Sequence, residues 1–172
     1  MNGSTPDWHL LQAMQMYFQG EKTEALVFIL PVGLISLVFG IWLLTDQPTS
    51  FARGVAIPFL VMGLVMCAVG GVVGYRTPAQ MEAVQQSLQA DRQAALTTEM
   101  ARMTRINQAW PKYLFLWGLL GVLGLALRFA TASDFLQGMG IAMVFFAGVA
   151  LLVDGFAERR TQPYVTAIQA VL

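Results

Sequence analysis

Few residues in this chain are of types that do chemistry, and they are scattered. His9 is the single histidine and stands near the N-terminus. Glu21 and Glu24 flank Lys22 near the end of the first amphipathic stretch, a pattern of ordinary solvated helix charge. Met62, Met66 and Cys67 put soft sulfur atoms on neighbouring positions of one helix, a copper-like ligand set. No methionine or histidine cluster recurs at an entrance beyond Met14 and Met16, so the ten methionines read first as core filler. One cysteine excludes an intrachain disulfide and a CxxC zinc site. The chain carries no GxSxG elbow, HExxH helix, P-loop or dinucleotide fingerprint. The expectation is therefore no enzyme, no cofactor and no metal. Arg128 and Asp154 remain, ionisable residues at the edges of apolar runs, where such residues mark ion paths or binding sites. Arg128 falls near the outer end of its run and Asp154 near the inner end of its own, so they cannot pair across the bilayer. Arg128 is placed to snorkel toward headgroups beside Asp134, and Asp154 to pair with Arg76 or Lys112. Only Ser36 would stand between the two levels as a polar stepping stone.

The elements that would position these residues are four long apolar runs, 25–44, 54–75, 113–132 and 135–156. Each matches the ~20 residues a helix needs to cross ~30 Å of hydrocarbon. Apolar residues make up 56% of the chain and charged residues 12%, against about 25% charged in a typical soluble domain. The composition predicts an all-α, polytopic membrane protein with four transmembrane helices, for which lipids are the first partner. Ten basic and ten acidic residues leave no global basic field, so no nucleic acid is expected. The first run exceeds the roughly 7–15 residues of a signal-peptide core and lacks a small-residue cleavage site after it, so it reads as a retained span.

Basic residues orient the spans. Lys22, the group Arg76, Arg92, Arg102, Arg105 and Lys112, and the pair Arg159 and Arg160 all lie on one side of a four-span chain; Arg53 and Arg128 lie on the other. This bias places the N-terminal segment 1–24, the middle segment 76–112 and the tail 157–172 in the cytoplasm. The outer turns are very short.

The chain also reads as a tandem two-span repeat. Gly74-Tyr75-Arg76-Thr77-Pro78 is echoed by Gly155-Phe156, Arg160-Thr161 and Pro163, at an offset of about 81 to 85 residues. Two copies in one orientation would be a parallel repeat about an axis along the membrane normal. Thr5-Pro6, Thr77-Pro78 and Thr161–Pro163 resemble three helix starts, the second with a capping box. After the first, Leu10, Leu11, Met14, Tyr17 and Phe18 share one face of an amphipathic helix that Gly20 should end. The middle segment 79–109 has no Gly or Pro and carries the stripes Met81, Val84, Leu88 and Leu96, Met100, Met103, Trp110, interrupted by Asp91-Arg92-Gln93. One unbroken helix would be ~46 Å long with both ends at the membrane, so it must lie along the surface or bend near 91–98; the preferred reading is extensions of spans two and three that meet at the bend. Gly70 and Gly74 form a small-xxx-small pair on span two; Gly118, Gly121 and Gly124 thin one side of span three, and Gly140 and Gly148 do so on span four. In lipid such residues permit close helix packing, either inside the bundle or against a partner, including a second copy of the chain. Pro31 and Pro58 shape spans one and two.

In size, topology, short outer turns and the lack of a catalytic set, the chain resembles the small four-span immunity proteins of bacterial inner membranes, which protect a cell from a toxin acting at its membrane. The stretch Phe156-Ala157-Glu158-Arg159-Arg160 followed by Tyr164 is similar to endings of other small bacterial membrane proteins. The resemblance implies non-enzymatic capture of a toxin at a bacterial inner membrane and carries over no binding residues; Gly70, Gly74, Gly118, Gly121, Met100 and Met103 are candidate packing or partner-binding positions from their residue types and spacing alone. A transporter or channel subunit, and a membrane scaffold or sensor for a soluble protein, are the alternatives.

Overall fold

The computed structural model describes residues 5–172, with side chains from Trp8 onward. The described residues form five α-helices: α1 (Thr5–Thr23), α2 (Leu30–Asp46), α3 (Ser50–Ala90), α4 (Arg92–Ala130) and α5 (Asp134–Gln169). A π-helical turn, Glu24–Ile29, joins α1 to α2 without a break, so the chain makes four rods. All four are long and apolar enough to cross a membrane. The 41 residues of α3 would span ~60 Å, about twice a hydrocarbon core. Each rod accordingly has an apolar half and a polar half.

Several expected helix boundaries are corrected. Gly20 does not end α1. It is small because the stem of Arg160 crosses it: a Cβ there would collide with Arg160 Cδ. In the π turn, the Leu30 N–H donates to the Ala25 carbonyl, five residues back. Pro31 follows, and its ring needs room at a carbonyl that a regular α turn would crowd. Gly70 of α3 lies against this turn; a Cβ on it would meet Leu30 N at 2.8 Å. Thr77-Pro78 and Thr161–Pro163 are not helix starts but lie inside α3 and α5. Nothing upstream stops either helix, and each threonine hydroxyl donates instead to the carbonyl four residues back, Thr77 to Val73 at 2.7 Å and Thr161 to Ala157 at 2.9 Å. Each hydroxyl bonds within its own turn, and the proline that follows lies inside a helix that continues through it. The cap assigned to Thr5 lies outside the described side chains.

The middle segment is two helices. Asp91 is extended, and its Oδ1 accepts from the Ala94 N–H at 3.1 Å to cap α4. Thr49 caps α3 through Ala52 N–H in the same way.

The apolar halves pack as a row, α2–α3–α5–α4. Backbones meet where side chains are absent. Gly54 lies against the Phe135 carbonyl and, reciprocally, Gly138 against the Phe51 carbonyl. Gly124 and Gly140 do the same for α4 and α5. Phe59 of α3 stacks on Phe145 and meets Phe146 edge-on. Most other apolar side chains of this layer, such as Ile35, Val38, Val61 and Phe115, point outward. The polar halves instead close into a four-helix bundle, because α1 returns against α3 and α5. Its core holds Leu10, Met14, Tyr17 and Phe18 of α1, Leu96 and Met103 of α4, and Tyr164 and Ile168 of α5. Met81, Val84 and Leu88 of α3 pack on it, while Leu11 of the predicted α1 face is exposed.

Candidate functional site

The polar layer contains the densest set of interacting polar groups among the described residues. Glu99 is only 6% exposed, yet its carboxylate has three donors. Arg102 Nε donates to Oε2 at 2.9 Å and its terminal nitrogen to Oε1 at 2.5 Å, while the Tyr164 hydroxyl donates to Oε1 at 3.0 Å. The Arg102 guanidinium lies over the rings of Tyr17 and Phe18, 5.6 and 5.5 Å from their centroids. Tyr17 in turn stacks on Tyr164 at 5.2 Å. A buried carboxylate is tolerable when charge-assisted bonds fill its lone pairs, as here.

Three groups of this cluster hold their protons more tightly than usual. Burial, then the charge and hydrogen bond of Glu99, push the Tyr164 phenol well above its ordinary value. Burial and then the Glu21 charge push Tyr17 up. Burial works to lower Arg102, but its bonds to Glu99 and the Glu99 charge more than reverse this, so the guanidinium holds its proton more tightly than usual. The cluster joins α1, α4 and α5 as a clamp.

A second polar ring lies where the apolar runs stop. Arg76 approaches Glu21 at 3.6 Å, and Arg160 binds Glu24 at 2.7 Å. The Thr77 hydroxyl is 3.5 Å from Glu21. A cavity of about 380 Å³ opens beside this ring, and Arg105, Trp110 and Tyr113 of α4 share its wall. A third feature is a groove of about 440 Å³ between α3 and α4 near their turn, lined by small and polar side chains including Ala83, Ser87, Ala94 and Thr98.

The residues singled out from the sequence are dispersed. Gly70 and Gly74 face α2 and the π turn, with Gly74 against Leu26. Gly121 makes an ordinary contact with Ala147 Cβ at 3.5 Å, whereas Gly118 faces open space. Met103 is fully buried in the polar core and Met100 packs on its edge. Met66 is buried, and Cys67 lies against Gly33. Asp154 does not pair with Arg76 or Lys112; it accepts from Trp117 Nε1 at 2.7 Å. Arg76 faces α1 and is engaged by Glu21, which leaves the α4 indole as the donor at the level of Asp154. Arg128 donates to Gln137 at 3.2 Å, and its guanidinium lies over the Phe129 ring.

Glu99, Arg102, Tyr17 and Tyr164 are the site residues that sequence reasoning missed. One signal was present: Glu99 falls between Leu96 and Met103 on a single apolar stripe, where a solvated glutamate does not belong. Its partner Tyr164, 65 residues away, carried no such mark. Comparison with protein-family models, curated proteins and solved structures finds no match to this chain.

Proposed function

We propose that this chain is a multi-pass protein of the bacterial inner membrane, with both termini and the polar layer in the cytoplasm, and that it acts by binding a protein. Its proposed role is immunity: it neutralises a toxin directed at the membrane. One observation carries this reading. Beyond its apolar run α3 continues from Arg76 to Ala90, ~22 Å, and α4 and α5 extend beside it. The Glu99 clamp ties the α4 and α5 extensions together, and the Arg102 guanidinium over Tyr17 and Phe18 holds them to α1. Crossing a bilayer requires none of this. A rigid platform with a groove at its tip is what recognition of a partner requires. Two contacts support the tandem repeat within this reading: Gly54 meets the Phe135 carbonyl and Gly138 the Phe51 carbonyl, and the equivalent positions 51 and 135, and 54 and 138, are each 84 residues apart.

The test is co-expression with the product of the neighbouring reading frame. Rescue of growth, lost when residues of the α3–α4 tip such as Ser87 and Thr98 are replaced by arginine, is the expected result. A neighbouring product that is harmless, or toxicity that this chain leaves untouched, overturns the immunity role. A transporter subunit is the second reading, favoured by the reciprocal α3–α5 crossing, since parallel repeats build many transporters. Solute flux into vesicles carrying the purified chain would replace the first reading with the second.

A further inference from the structure

We propose that the cavity where the apolar and polar layers meet is a binding site for a phosphate-bearing anion, supplied by a lipid headgroup of the inner leaflet or by a soluble phosphate ester. The placement at the leaflet rests on the membrane reading above; the anion chemistry does not.

Four rods contribute to the cavity near the ends of their apolar runs, through Glu21, Arg76, Arg105, Trp110, Tyr113 and Arg160. Its volume of about 380 Å³ is roughly ten times a water molecule's ~30 Å³ share of the liquid. Three guanidiniums face one carboxylate on its wall. Arginine is the side chain whose planar fork matches phosphate oxygens, and Trp and Tyr are the residues that settle at headgroup level.

Two orphaned donors point to what is missing. Trp110 Nε1 and Arg160 Nε are both buried with no acceptor. Arg160 uses one terminal nitrogen on Glu24, so only part of its fork is occupied. A buried N–H without an acceptor is costly, and both donors belong to residues of one cavity wall. Both N–H groups are covered by protein, Arg160 Nε against Gly20 of α1, so an anionic oxygen reaches them only as these side chains turn toward the cavity. The third buried orphan, Asn107 Oδ1, is an acceptor on a residue that does not line this cavity.

The two halves of the chain supply the excess charge. At the 84-residue spacing of the reciprocal glycines, Arg76 corresponds to Arg160 and Thr77 to Thr161. Glu21 then corresponds to Arg105, and Glu24 to Gln108. The first half furnishes carboxylates at this ring and the second replaces them. Arg105 is exposed and has no carboxylate partner among the described residues. One cation without counter-charge, Arg105, beside two paired guanidiniums and two unfilled donors, defines the anion site.

The experiment uses the full chain, purified and delipidated in detergent. Phosphatidylglycerol and phosphatidylcholine are titrated under native mass spectrometry, and glycerol 3-phosphate is titrated by calorimetry. Arg105→Gln and Trp110→Phe are the test variants, Arg160→Lys removes the Nε donor while keeping charge, and Arg53→Gln at the opposite end is the control. Phosphatidylglycerol should bind in preference to phosphatidylcholine, and each test variant should weaken it about tenfold while melting normally. If glycerol 3-phosphate binds with the same variant dependence, the site stands and its ligand is soluble. Equal binding of the two lipids without glycerol 3-phosphate binding, or losses no larger than those of Arg53→Gln, overturn the site. Failure of the membrane reading would appear separately, as a chain that stays folded and dispersed without detergent; the glycerol 3-phosphate arm would still decide the anion site.

Discussion

The apolar and polar layers are made from the same rods and held by different means. In the apolar layer the close contacts are backbone against backbone, Gly54 on Phe135 and Gly124 on Gly140, and large side chains point outward. In the polar layer Met14, Phe18, Met103 and Ile168 are almost wholly buried and a charged glutamate is clamped among them. Hydrocarbon tails are as apolar as leucine, so burial cannot drive helices together in lipid and close fit must. Water drives burial directly. The two packing styles are those expected of one chain in two solvents, and they change at the level of Glu21, Arg76, Trp110 and Arg160.

Mutations that remove apolar bulk sharpen this contrast most. Phe18→Ala in the polar core should cost about 4 kcal/mol in unfolding measured in micelles. Val61→Ala on the outward face of α3 should cost close to nothing, because detergent or lipid solvates either side chain. Equal losses at the two sites would erase the contrast. Next in size is Glu99→Ala. It leaves the Arg102 charge and the Tyr164 hydroxyl without their acceptor, and a loss of about 3 kcal/mol is expected. A neutral outcome would mean that the clamp contributes nothing.

Glycines give the matching test in the apolar layer. Gly54→Ala forces a Cβ into the Phe135 carbonyl and should cost about 2 kcal/mol through separation of α3 and α5. Gly118→Ala meets nothing within 4 Å and should be neutral or stabilising by up to about 1 kcal/mol, from helix propensity alone. Similar losses at both would show that Gly118 is also packed, against something outside the chain.

Much of the apolar layer was legible because hydropathy over twenty residues is a local signal, and the turn at Asp91 because Asp91-Arg92-Gln93 breaks two stripes. Thr77-Pro78 and Thr161–Pro163 misled for the same local reason. A cap and an interior threonine–proline turn share one sequence, and only the uninterrupted residues upstream distinguish them. Gly20 was misread because its cause, the stem of Arg160, lies 140 residues away. The clamp was illegible where it depends on how rods are juxtaposed, although Glu99 on its own stripe was a readable anomaly.

The smallest effect concerns pH and isolates the polar layer alone. Burial raises the phenols of Tyr164 and Tyr17 above their ordinary value of 10.0 in the folded chain. Below that pH both states keep their protons and stability is flat. Above it the unfolded chain releases phenolic protons that the folded chain retains, so stability falls, by at most about 1.4 kcal/mol per pH unit for each group. Tyr164→Phe should begin about 1 kcal/mol less stable at neutral pH, from the lost bond to Glu99, and then decline more gently in alkali because only Tyr17 still contributes. Unfolding midpoints followed from about pH 8 to about pH 11.5 should therefore converge for the two proteins. Parallel curves would mean that Tyr164 ionises as freely in the fold as outside it, and the closed bundle around Glu99 would have to be redrawn.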